Sequence, residues 1–63
     1  MITITLKTNN AAFYDCGEYD PREEVARILE TLAQRIREEG VEPYVRLMDY
    51  NGNAVGSLQT DEE

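Results

Sequence analysis

The stretch DPREEVARILETLAQRIREEG, from Asp20 to Gly40, leaves this chain few options, because it encodes a helix with one apolar stripe and little else to bury. Val25, Ile28, Leu29, Leu32 and Ile36 recur at spacings of three and four, with Ala26 and Ala33 on the shoulders, which is the pattern of a helix covering one surface. Asp20 is placed to cap, Pro21 to occupy the first helical position, and Glu23 to complete a capping box. Gly40 is placed to end the helix in a left-handed conformation. Arg35 and Arg37 suit the C-terminal dipole, while Glu38 and Glu39 oppose it.

A helix with one stripe needs one sheet face, and the flanking segments supply it. MITITLK alternates, with Ile2, Ile4 and Leu6 on one side and Thr3, Thr5 and Lys7 on the other, so it reads as a half-buried strand. PYVRLMDYNGNAVGSLQT reads as a hairpin around Asn51-Gly52, the pair that best fits a type I′ turn. That turn pairs Tyr50 with Asn53, Asp49 with Ala54, Met48 with Val55, Leu47 with Gly56, Arg46 with Ser57 and Val45 with Leu58. Val45, Leu47 and Leu58 then face the helix, with Gly56 leaving room for it. Tyr44, Arg46, Met48, Tyr50, Val55 and Ser57 face outward.

The expected fold is α+β: a β-α-β-β chain with one amphipathic helix on a three-stranded antiparallel sheet. A spatial order of 1-3-2 is preferred to a parallel first strand beside the second, because it tolerates a solvated outer face. Residues 1–60 form one small domain, and residues 61–63 an acidic C-terminal tail. The core is drawn from Ile2, Ile4, Leu6, Val25, Ile28, Leu29, Leu32, Ile36, Val45, Leu47 and Leu58. Phe13, the only phenylalanine in a chain without tryptophan, is the large plug that closes one end of it. Ala11 and Ala12 let the backbone fold over that end.

Thirteen acids against six bases give a net charge of −7, which opposes binding to nucleic acid or an anionic membrane and favours basic partners or plain solubility. The N-terminus has no signal-peptide pattern, no segment is long and apolar enough to span a bilayer, and Cys16 is the only cysteine, so the expected location is cytoplasmic. The chain has no histidine, which removes the commonest general base and the partner a zinc site or a catalytic cysteine would need. Asp15, Glu18 and Asp20 surround Cys16 and weaken it as a nucleophile. DYNGN resembles a calcium loop only slightly, since its glycine is misplaced and no glutamate follows at the required distance. The expectation is a non-enzyme without metal or cofactor.

Two surfaces remain as candidate partner-binding sites. One is the acidic run from residue 15 to 24, with Asp15, Glu18, Asp20, Glu23 and Glu24; helix capping accounts for the last three but not for the first two. The other is the uncovered sheet face with Tyr44, Arg46, Met48 and Tyr50, residue types enriched at interfaces.

TNNAAF (residues 8–13), EVARILETLA (24–33) and DYNGNAVG (49–56) together resemble a family of short bacteriophage and prophage proteins sharing T-x-N-A-A-F, E-[LV]-A-R-I-L and D-x-N-G-N-x-V-G segments. The chain departs from that pattern in YDCGEYD. The resemblance implies a phage setting and a host-cell cytoplasm. Phage proteins of this size and charge include anti-CRISPRs and other nucleic-acid mimics, so it also implies a basic host protein or complex as partner. The alternative is a small homodimeric structural or regulatory module joined through the open sheet face.

Overall fold

The computed structural model describes residues 1–61. Its elements are β1 (Ile2–Leu6), a 3₁₀ turn (Ala11–Phe13), β2 (Tyr14–Asp15), β3 (Glu18–Tyr19), α1 (Arg22–Glu39), β4 (Tyr44–Met48) and β5 (Ala54–Thr60). The expected class is found, α+β with one helix and a three-stranded antiparallel sheet. The strands lie in the order β1–β5–β4. The pairing of β2 with β3 in a separate two-stranded ribbon is an addition, in a stretch that the sequence leaves as loop. Glu62 and Glu63 of the expected tail lie outside the described residues. Asp61 continues the sheet: its N–H donates to the Met1 carbonyl and the Met1 amino group donates to the Asp61 carbonyl, both at 2.8 Å.

Helix α1 begins much as its sequence suggests. Pro21 already has helical angles (φ −78°, ψ −2°), and Asp20 Oδ1 accepts the Arg22 N–H at 3.4 Å. The capping box is not made, because the Asp20 N–H that Glu23 would satisfy donates instead to the Phe13 carbonyl at 2.9 Å. At the other end the Gly40 N–H donates to the Ile36 carbonyl at 2.8 Å; its φ is +83°, but its ψ of −178° is extended rather than left-handed helical.

The core consists of Ala12, Phe13, Ile28, Leu32, Val45, Leu47, Val55 and Leu58, with Leu6, Val25 and Ile36 packed against it. Phe13 is completely buried. The 3₁₀ turn that carries it is closed by Asn10, whose Oδ1 accepts the Ala12 N–H at 3.0 Å. The helix packs against this turn and against β4. Consequently Ile2, Ile4 and Leu29, expected in the core, are exposed to 50%, 45% and 40%. Ile4 does share a row with buried Leu58 and Val45, so the face is as expected; the helix simply does not reach over β1.

The hairpin departs from the type I′ reading. Asp49 N–H donates to the Asn53 carbonyl and Gly52 N–H to the Asp49 carbonyl, so the loop holds three residues, Tyr50, Asn51 and Gly52. Gly52 has φ +87°, and Asn51 has no positive φ. This is the turn-plus-left-handed-residue loop that follows the two-residue hairpins in frequency. A bulge then intervenes: Met48 pairs with Ala54 and Leu47 with Gly56, leaving Val55 without a partner on β4 and buried in the core rather than on the outer face. The extra loop residue and the bulge cancel, so Leu47, Arg46 and Val45 still meet Gly56, Ser57 and Leu58. Gly56 serves the neighbouring strand rather than the helix: a Cβ there would stand 1.8 Å from the Thr5 carbonyl oxygen.

Candidate functional site: an acidic ribbon beside the helix start

The type I′ geometry occurs instead at the tip of the ribbon. Cys16 and Gly17 have φ of +52° and +83°, and they connect Asp15 directly to its cross-strand partner Glu18. One position behind, Tyr14 and Tyr19 stack edge to face with centroids 5.4 Å apart. Tyr19 is further tied by a hydrogen bond between its hydroxyl and Thr8 Oγ1. The aromatic pair and the tight turn thus hold two exposed carboxylates side by side. Like charges directly opposite each other destabilise a β pair, and neither acid takes part in an ion pair among the described residues.

The other three acids of the run serve different ends. Asp20 caps the helix and pairs with Arg22 at 3.2 Å; the hydrogen bonds from Arg22 hold its carboxyl below the usual range. Glu23 stands exposed on the first turn of α1. Glu24 is turned inward and only 7% exposed. Its carboxylate accepts both arms of the Arg27 guanidinium at 2.9 and 2.7 Å and the Tyr50 N–H at 2.8 Å. The Arg27 bonds first of all, and the Tyr50 N–H with them, hold its pKa down against the opposing effect of burial. Arg27 also donates to the Met48 carbonyl at 3.2 Å, so this ion pair fastens the helix to the hairpin loop.

Beside Glu24 lies a carboxylate that the sequence does not mark as special. Asp49, 4% exposed, accepts the Asn51 and Asn53 N–H groups at 2.9 Å on Oδ1 and the Asn10 side chain at 2.8 Å on Oδ2. Burial by itself would raise its pKa; the bonds from Asn53, Asn10 and Asn51 together outweigh that and lower it. The signal in the sequence was the pairing of Asn10 with an Asp-x-Asn-Gly-Asn loop, residues able to satisfy one buried carboxylate.

The arrangement redistributes the two candidate surfaces. Tyr50 leaves the sheet face and borders a shallow cleft with Tyr14, Asp15, Asp20, Glu23 and Glu24. Tyr44, Arg46 and Met48 remain exposed along β4. The cleft can offer carboxylates and two tyrosine rings to a ligand. Cys16 is exposed at the ribbon tip. Among the described residues, no set of three or more Cys, Asp or Glu is placed to hold a metal ion. No helix among the described residues is long and apolar enough to cross a membrane. No protein-family model, curated protein or solved structure matches this chain.

Proposed function

We propose that this chain is a non-catalytic interaction protein that presents its acidic ribbon to a basic surface of a protein partner, in the place of nucleic acid. The observation that carries the reading is the Asp15–Glu18 pair, held face to face by a two-residue turn with no ion pair to offset the repulsion among the described residues. Local rules broken without a compensating contact mark functional positions more often than structural ones. Glu23 adds a third free carboxylate nearby, and Tyr14 and Tyr50 supply aromatic surface for a partner's arginines. The phage setting implied by the resemblance suggests the class of partner: a host complex that handles nucleic acid, of the CRISPR-defence kind.

Exposed charges are screened over about 8 Å at physiological ionic strength, so binding of this kind weakens with salt and owes its speed to opposing fields. A partner captured from host lysate and identified by mass spectrometry allows the kinetic test. Asp15→Lys with Glu18→Lys is expected to slow association at least tenfold, roughly the reach of steering, while leaving the melting temperature nearly unchanged, since two lysines repel across the turn as the two acids do. Tyr44→Ala and Met48→Ala on β4 are expected to leave association unchanged. Binding indifferent to both salt and the ribbon reversals would refute the reading.

A further inference from the structure

We infer that the free edge of β1 is a self-association surface, on which a second copy of this chain adds its own β1 antiparallel. β1 and β4 are the two edges of the sheet, and they differ in protection. β4 is preceded by Pro43 and carries Arg46 at its centre, the usual devices against edge pairing. β1, Ile-Thr-Ile-Thr-Leu, carries no charge, proline or bulge, in a chain of which 30% is charged.

The backbone is oriented for the pairing. Met1 and Asp61 exchange both hydrogen bonds, and the Lys7 N–H donates to the Val55 carbonyl, so odd-numbered residues of this strand bond inward to β5. By the alternation of antiparallel ladders, the N–H and C=O groups of Ile2, Ile4 and Leu6 point outward from the sheet edge. Centred on Ile4, a second β1 places Ile4 against Ile4 and Ile2 against Leu6 of the partner subunit, pairs that exchange both of their bonds. Thr3 then faces Thr5 of the partner subunit. Within Ile2–Leu6 every cross-strand pair joins like with like, apolar to apolar or threonine to threonine, a combination that stabilises antiparallel sheets, while just beyond it Met1 faces Lys7 of the partner subunit.

The same strand is where the apolar surface lies open. Ile2 and Ile4 are half exposed on the helix side, and Leu29 of α1 is 40% exposed. Thr31 and Arg35 lie on the flank over β4, and at about 100° per residue Leu29 falls on the opposite one, toward β1. This inference is independent of the acidic-ribbon reading, since none of its residues belongs to the ribbon.

The test is sedimentation velocity of the full chain and two double variants at exposed positions, with circular dichroism as the check on folding. Wild type is expected to dimerise. Thr3→Lys with Thr5→Lys sets like charges opposite each other twice and is expected to raise the dissociation constant about tenfold or more. Thr3→Lys with Thr5→Glu sets opposite charges across the same register and is expected to restore the dimer. A wild type monomeric at millimolar concentration overturns the inference. So does a dimer that ignores both variants, or one lost instead through Tyr44→Ala and Met48→Ala. Equal weakening by both variants overturns the antiparallel register.

Discussion

Gly56 shows how a residue can be legible in sequence for the wrong reason. A glycine inside a strand signals a close approach, and the natural candidate was the helix. The approaching group is in fact the backbone of β1, with the Thr5 carbonyl oxygen 1.8 Å and its carbon 2.9 Å from where a Cβ would stand. Neither is the flexible end of a side chain that could move aside. Gly56→Ala must therefore shift β1 off β5 and is expected to cost at least about 1–3 kcal/mol, the usual range for overpacking, seen as a lower denaturant midpoint. An alanine variant that melts with the wild type would show that the two strands are not so close. Phe13 is the opposite case, visible for the right reason: a single large apolar side chain in a polar stretch had nowhere to go but inward.

At the scale of elements, periodicity identified the helix and all three long strands, while loop chemistry was misassigned. Asn-Gly at positions 51 and 52 suggested a two-residue turn, yet the loop is settled by two carboxylates outside that pair, one distant in sequence and one at the base of the loop itself. Glu24 takes the Tyr50 N–H, and the Asp49 side chain takes those of Asn51 and Asn53. These bonds need three loop residues, and the Val55 bulge restores the register afterwards. The two loop geometries predict different mutational costs. Type I′ needs positive φ at both central residues, whereas here only Gly52 has it. Gly52→Ala is expected to cost about 1–2 kcal/mol, the left-handed penalty of an L-residue, and Asn51→Ala less than about 0.5 kcal/mol, as for an ordinary surface position. Equal losses in thermal melts of the two variants would favour the two-residue turn. The ribbon was missed because its strands are two residues long, too short for any alternation to register.

For the molecule as a whole, the sequence could say that one helix covers one face, but not where along the sheet it would sit. That is decided by anchors from three separate segments. Phe13 draws the helix toward its own turn, Glu24 and Arg27 bind it to the hairpin loop, and Asn10 ties the loop back through Asp49. The helix is thereby held over β4, leaving Ile2 and Ile4 uncovered. Two buried carboxylates stand at the centre of these ties, which makes the fold sensitive to acid. Both have folded pKa values below their ordinary ones of 4.5 for Glu24 and 3.8 for Asp49. The native state therefore binds fewer protons than the unfolded chain in this range, and the stability contributed is complete above the ordinary values. It is lost as pH falls below about 4.5 and through the lowered folded values. With no histidine to titrate, the urea midpoint is expected to be nearly level from about pH 5.5 to 7 and to drop steeply below pH 4.5. Glu24→Gln with Asp49→Asn should be less stable at neutral pH, because each amide adds donors where the sites need acceptors, but its midpoint should fall less steeply in acid. If the double variant kept the whole wild-type slope, the acid sensitivity would belong to the exposed carboxylates and the ties would not govern where the helix sits.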